Sequence, residues 1–252
     1  MSDMTPALTR GLLILELFDQ YHPEWTARDI AAQLDIPLAS TYRLLGTLEA
    51  HGFLERTTDK SYRLGLALIR LASLVVAGLD VRRAALPTLV SLSERTGETA
   101  LLVVARDDHA VCIERSEGTY PLRPRSFMIG ERVRFDAGAT PLALLAHLAP
   151  DETGRIIDGL ANGDADRRAT LLERCEQIRR SGCAYTHDEV VENTAAVSAP
   201  LFSVGSEWAV GAISVTGITE RVQGLEPGVI AAAAEVTAAL GGRPPIHADT
   251  RR

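Results

Sequence analysis

Lysine is almost missing from this sequence. Lys60 stands alone among 252 residues, so the remaining basic side chains are arginines. Cysteine is scarce as well. Cys112, Cys175 and Cys183 are odd in number and no two have C-x-x-C spacing, which argues against a disulfide framework and against zinc. No metal and no cofactor are expected. No apolar run reaches about 18 residues, so no membrane span is read. Residues 1–9 lack a basic segment followed by an apolar stretch, so no signal peptide is read either, and the expected compartment is the cytoplasm. The signatures of common enzymes are also missing: there is no G-x-S-x-G elbow, G-x-G-x-x-G loop, phosphate-binding P-loop or H-E-x-x-H helix. Nor is there an excess of positive charge. The formal net charge is −7, and residues 1–64 alone hold six basic and nine acidic side chains. If this protein meets nucleic acid, placement of charge must do what bulk charge does not.

What is present is an ordinary globular composition, 46% hydrophobic and 23% charged, over a length that suits two domains. Leu8, Leu12 and Leu15, with Phe18 behind them, recur at helical spacing and predict a helix over 6–20. Pro23 breaks the pattern. Thr26 with Asp29 three residues on is a helix start, and Ile30, Ala31 and Leu34 form the apolar face that follows. Asp35-Ile36-Pro37 is a tight connection, with Asp35 suited to a left-handed backbone. A third helix over 38–51 turns Thr41, Leu44, Leu45 and Leu48 inward and stops at Gly52. An alternating pair, 53–56 and 62–64, then makes a short hairpin. Three helices and a small hairpin are the layout of a winged helix-turn-helix, assigned to residues 1–64.

Residues 65–80 read as a strongly apolar linker helix, with Leu66, Ile69, Leu74 and Val75 seeking a partner; a second copy of the chain is the preferred one. From residue 81 to 240 the pattern is mixed. A helix over 81–96 is followed by strands at 99–105 and 110–115, then by short strands or loop over 121–135. Helices at 140–148, 151–160 and 168–181 come next, then strands at 195–202 and 208–215 and an Ala-rich helix at 227–240. Residues 241–252 read as a disordered tail. The fold class is α+β.

A recognition helix offers its outward side chains to the major groove. With Thr41, Leu45 and Leu48 inward, the outward set is Ala39, Tyr42, Arg43 and Gly46, with Ser40 at the helix start. Arg43 suits a guanine edge or a phosphate, Ser40 a phosphate near the helix N-terminus, and Tyr42 a thymine methyl or a phosphate. In the hairpin, Arg56, Lys60 and Arg63 can follow the adjacent backbone. The acidic Glu16, Asp19 and Glu24 lie elsewhere, and salt screens charges beyond about 10 Å. The residues alone leave DNA contact and plain solvated charge equally open.

The run Leu34-Asp35-Ile36-Pro37-Leu38-Ala39-Ser40-Thr41-Tyr42-Arg43-Leu44-Leu45, with Thr47-Leu48-Glu49 and Gly52-Phe53-Leu54, resembles the winged helix of the IclR family of bacterial regulators. Arg10-Gly11-Leu12 and Tyr62-Arg63-Leu64-Gly65 are similar too, as are Ala199-Pro200-Leu201-Phe202 and Gly211-Ala212-Ile213-Ser214-Val215-Thr216-Gly217 in the second half. The likeness covers about residues 7–240 and rests on the order and spacing of these segments together. It implies a GAF-like effector domain around an antiparallel sheet, homodimers that pair into tetramers, a double-stranded DNA operator, and a small organic effector that is acidic or aromatic. It also implies an effector site at Gly138, Ala139, Thr140, Thr186, Ala196, Ser214 and Thr216. The helix after the pocket loop, which in the family commonly reads GKALLA, here reads Pro141-Leu142-Ala143-Leu144-Leu145-Ala146, without the Gly-Lys pair. Arg123, Arg125, Arg132 and Arg134 are candidate partners for an acid, with a surface role the commoner outcome for such residues.

Two other function classes stay in view. A hydrolase would draw on the His187-Asp188-Glu189 cluster, or on Cys183 with His187 as nucleophile and base; a loop after a strand is the plainer account of that cluster. A protein-interaction module would use the winged helix without DNA. No catalytic residue is assigned.

Overall fold

The structure, a computed structural model, describes residues 5–19, 21–77, 80–121 and 127–243; for 76 and 77 it describes the backbone alone. The chain divides into two compact units, residues 1–78 and 79–252.

The first unit runs α1 (Pro6–Glu16), β1 (Trp25–Thr26), α2 (Ala27–Gln33), α3 (Leu38–Ala50), β2 (Leu54–Arg56), β3 (Ser61–Leu64) and α4 (Ala67–Ala77). The first helix ends four residues short of its predicted bound. The Asp19 carboxylate accepts hydrogen bonds from the backbone N–H groups of Tyr21 and His22, at 2.7 and 2.6 Å, and so turns the chain where a helix would continue. The Trp25 indole N–H then donates to the Leu17 carbonyl at 3.1 Å and pins the connection. Leu8 and Leu12 of the apolar stripe stay exposed, while Ile14 enters a core with Ala27, Ile30, Leu45, Leu54 and Tyr62. Thr26 caps α2 by accepting from Asp29 N–H at 3.3 Å. Asp35 takes φ 51°, and Gly52 ends α3 at φ 72°. The hairpin β2–β3 pairs antiparallel, with Glu55 opposite Arg63, and β1 adds on its other side. At its base the two backbones nearly touch: a Cβ on Gly65 would lie 2.2 Å from the Gly52 carbonyl oxygen, so glycine is required there.

The second unit runs α5 (Asp80–Thr96), β4 (Thr99–Arg106), β5 (His109–Ser116), β6 (Arg132–Arg134), α6 (Ala139–Leu145), α7 (Pro150–Ala161), α8 (Ala165–Ser181), β7 (Ala184–His187), β8 (Thr194–Leu201), β9 (Gly211–Ile218), α9 (Thr219–Val222) and α10 (Glu226–Ala239). Among the described residues the strands form a six-stranded sheet in the order β6-β5-β4-β9-β8-β7, antiparallel at every neighbour. The pleat sends alternate residues to two cores. Leu101 and Val103 of β4 meet α6, α7 and α8 on one face, while Ala100 and Leu102 meet α5 and α10 on the other. A strand covered on both faces is apolar throughout, which explains the unbroken run Ala100–Val104. The expected α+β class and antiparallel sheet are what the chain adopts.

Two local readings need correction. The edge strand β7 is too short and too polar to stand out in the sequence. The last sheet strand starts at Gly211, not 208, because the Ser206 hydroxyl donates to the Trp208 carbonyl and accepts from its N–H, at 2.7 and 3.1 Å, and keeps Trp208 in the turn. The expected short strands or loop over 121–135 are, among the described residues, the short strand β6 with loop on either side. The predicted disordered tail lies, from residue 244 on, outside the described residues.

Candidate functional sites: a recognition helix and a closed pocket

Helix α3 buries Thr41 and Leu45 and half-buries Leu44 and Leu48, so Ala39, Tyr42, Arg43 and Gly46 all face outward as expected. Tyr42 is 49% exposed. Nothing lies within 4 Å of where a Gly46 side chain would start, which leaves the helix backbone open to close approach. The Arg43 guanidinium donates to the Ser40 hydroxyl at 3.2 Å, so these two predicted contacts form one polar edge on the first turns of the helix. The Thr47 hydroxyl in turn donates to the Arg43 carbonyl at 3.0 Å.

The hairpin separates its three cations. Arg63 is held across the ladder by Glu55, with Nε and Nη2 at 3.2 and 3.0 Å from one carboxylate oxygen, so its charge is balanced. Lys60 sits at the tip with φ 72°, a left-handed backbone on a residue other than glycine. Its neighbour Asp59 hydrogen-bonds the Thr57 hydroxyl, which lowers the Asp59 carboxyl and keeps it charged. Arg56 is exposed, and among the described residues it makes no ion pair. Of the three wing cations, Arg63 is thus paired, while Arg56 and Lys60 make no ion pair among the described residues.

In the second unit, a cavity of about 20 Å³ lies between the sheet and the start of α6. Its lining is Leu101, Phe127, Gly138, Ala139, Thr140, Thr186, Glu189, Val190, Thr194, Ala195, Ala196 and Thr216. Six of the seven expected effector residues are in that set. The seventh, Ser214, accepts a 2.9 Å hydrogen bond from the Thr140 hydroxyl and so stands directly behind it. The Thr216 hydroxyl donates to the Ala195 carbonyl at 3.3 Å. Thr140, Ser214 and Thr216 are all buried, which makes this a hydroxyl-lined hollow inside an apolar core.

About 20 Å³ holds roughly one water, far less than an organic ligand needs. The stopper is the loop after β7. A Cβ on Gly138 would lie 3.0 Å from Val190 Cγ2, with Thr186 Oγ1 and Phe127 Cζ next at 3.9 Å. Gly138 has φ 87° and ψ 176°, a conformation nearly confined to glycine. Phe127, which also lines the cavity, has positive φ too, 62°, an outlier for a bulky side chain. Glu189, beside Val190, is tied to Arg174 of α8 at 2.6 Å.

No cation lines this cavity among the described residues. Arg132 lies by Asp108 and His109, and Arg134 is paired with Asp136; Arg123 and Arg125 lie outside the described residues. The pairing of an acid with this arginine-rich segment is therefore not what the described part shows. The reading by resemblance missed Leu101, Phe127, Glu189, Val190, Thr194 and Ala195. Register carried the signal for two of these: Leu101 pairs with Ser214, and Ala195 precedes Ala196, which pairs with Thr216.

The hydrolase candidates do not assemble. Cys183 and His187 stand four residues apart along an extended strand, on the order of 13 Å. Burial raises the thiols of Cys112, Cys175 and Cys183, the first to about 12, which makes all three poor nucleophiles. His187 is exposed and faces Asp188 at 3.3 Å.

Residues 73–240 match the family model of the bacterial transcriptional regulator IclR C-terminal domain, and residues 7–58 match that of the IclR helix-turn-helix domain. The chain belongs to the IclR family. Helix α3 lies inside the helix-turn-helix match and the cavity inside the C-terminal one. The chain is 30% identical over 248 residues to the HTH-type transcriptional regulator BhcR of Paracoccus denitrificans, covering 94% of this chain and 88% of that one. It is 27% identical over 226 residues to KipR of Bacillus subtilis, covering 88% and 89%. Its fold is that of an IclR homologue from Microbacterium hydrocarbonoxydans solved with 4-hydroxybenzoate: TM-score 0.79, 22% identity, 93% of this chain and 99% of that one. The protein is a DNA-binding transcriptional regulator of this family. No helix among the described residues is long and apolar enough to cross a membrane.

Proposed function

We propose that this regulator binds its operator through Ser40, Tyr42 and Arg43 of α3, with Arg56 and Lys60 of the wing on the flanking backbone, and that a small organic effector in the Gly138–Thr216 cavity alters that affinity. The observation that carries the effector half is the convergence of Gly138, Ala139, Thr140, Thr186, Ala196 and Thr216, from four separate elements and their loops, on one hydroxyl-lined hollow. The ligand class is a small aromatic or short-chain acid: apolar walls from Leu101, Phe127 and Val190 take the body, and hydroxyls bind the carboxylate or hydroxyl end. 4-Hydroxybenzoate, bound to the Microbacterium homologue, is of this class. Val190 has to move for such a ligand to enter.

The working unit is a homodimer. Leu66, Ile69, Leu74 and Val75 on and beside α4 are 64–69% exposed, apolar side chains spread around the segment that one chain leaves uncovered. Effector binding acts through this segment on the spacing of two recognition helices.

The test is binding of the purified protein to its own upstream DNA and to a random duplex across a salt series, with and without aromatic acids. Specific affinity that falls steeply with salt, and that shifts with an acid, is the expected result. Equal weak binding to both duplexes under every condition overturns the operator half. A ligand that binds but leaves DNA affinity unchanged overturns the coupling.

A further inference from the structure

Away from the effector cavity, on the same face of the sheet, lies an open groove of about 570 Å³. Its walls are the β5–β6 edge, α7 and the start of α8, and it is lined by His109, Arg134, Arg155, Arg167, Ile156 and Leu160. Bringing guanidinium groups together costs energy unless something between them compensates. Here Asp136 does so. It accepts Arg134 in a two-bond fork, Nε and Nη2 both at 3.0 Å, and Arg167 Nη2 at 2.6 Å, while being itself only 14% exposed. Burial by itself would raise this carboxyl, but the bonds from Arg134 and Arg167 outweigh it and hold it below its usual value. Asp136 is therefore a fixed clip for two arginines and neutralises one of them.

The third arginine is not neutralised. Arg155 donates to the Asp107 carbonyl at 3.4 Å, and among the described residues it pairs with no carboxylate. Asp108, the carboxylate in the lining, is engaged by His109 and lies 3.7 Å from Arg132. The groove therefore carries surplus positive charge in a chain whose formal net charge is −7. Its floor is apolar, from Ile156 and Leu160, and open, since nothing lies within 4 Å of where a Gly159 side chain would begin. Arg155, which meets no carboxylate among the described residues, and the N–H groups that Arg134 and Arg167 have left over from Asp136 line a hollow of ligand size with an apolar floor, a set that matches a small organic molecule carrying a phosphoryl group.

We infer that the groove between β6, α7 and α8 is a second ligand site, distinct from the effector cavity, that takes a small organic phosphate on Arg134, Arg155 and Arg167. At about 570 Å³ the groove is of small-molecule size and short of the extended charged track that follows a nucleic-acid backbone, which favours a small molecule. The site stands whether or not the effector cavity acts as proposed above.

The probe is inorganic pyrophosphate, titrated calorimetrically into the full-length protein at constant ionic strength, with sulfate as the comparison anion. Expected is one saturable site per chain, at least about tenfold tighter for pyrophosphate than for sulfate. Arg155→Gln weakens pyrophosphate by about tenfold, and Arg155→Lys, which keeps the charge but loses the fork, weakens it less. Arg155 is exposed, so the thermal midpoint of both variants stays at the wild-type value. Gly138→Ala, in the other cavity, leaves pyrophosphate binding unchanged. Pyrophosphate binding no tighter than sulfate overturns the site, as does binding that Arg155→Gln leaves intact. If Arg155→Gln spares pyrophosphate but flattens the salt dependence of random-duplex binding, the groove touches nucleic acid and the proposal falls.

Discussion

Arg43 carries the DNA argument at the scale of a single side chain. It stands outward on α3, oriented by Ser40 at 3.2 Å, and its fork is the residue type best matched to a guanine edge. Arg43→Ala should cost about 1–3 kcal/mol in operator affinity and relax discrimination against random DNA; fluorescence anisotropy on the two duplexes reads both. Unchanged discrimination removes Arg43 from base readout. Asp136 makes a different kind of prediction. Its carboxyl is depressed in the folded protein, so its contribution to stability is present above the unfolded value of about 4 and is lost as the pH falls through the lower folded value. At pH 7, Asp136→Asn should therefore be less stable than wild type by about 1–3 kcal/mol, since two guanidiniums lose a charged acceptor. Denaturant melts at descending pH should show the gap closing below about pH 4. A gap that persists or widens there would mean that the clip does not act through its charge.

At the scale of elements, the turn into α6 is the most informative. Gly138 is committed twice, by a φ of 87° that other residues avoid and by Val190 Cγ2 standing 3.0 Å from its would-be Cβ. Gly138→Ala should lower stability by about 1–3 kcal/mol and weaken the effector, because the new methyl pushes on the stopper and on the cavity wall together. Thermal melts and ligand titration check the two effects separately. Affinity for the acid equal to wild type would place the ligand elsewhere. The wing shows how an element redistributes charge that the sequence displays openly. Antiparallel register sets Glu55 opposite Arg63, so one of three expected DNA cations is spent on the ladder. Alternation in a hairpin was legible, but which residue faces which depended on the turn over 57–60.

For the molecule as a whole, the uncovered apolar side chains of α4 matter most. A helix segment with Leu74 and Val75 this exposed is costly to leave in water and calls for a partner. Leu74→Glu should shift the protein toward monomer in sedimentation velocity and reduce operator affinity more than affinity for the acid, because operator binding by paired recognition helices needs both copies. A dimer of unchanged strength would move the interface off α4. The net charge of −7 belongs to this scale too. It argues against indiscriminate DNA binding and makes placement of a few arginines decisive.

What the sequence determined by itself was local chemistry and order along the chain. Thr26 with Asp29, Asp35, and Gly52 located the helix-turn-helix, because caps and left-handed turns depend on residue type over a few positions. The family resemblance then put Gly138, Thr140, Thr186 and Thr216 forward as one candidate site, and all four line one cavity. Only the tertiary structure decided what closes that site and where the arginines go. Val190 and Phe127 reach the cavity from loops distant in sequence, and Arg134 turns to Asp136 instead of a ligand. Which loop closes the site depends on sheet register and packing across the fold, and neither periodicity nor spacing encodes a contact between residues as far apart as Gly138 and Val190, or Asp136 and Arg167.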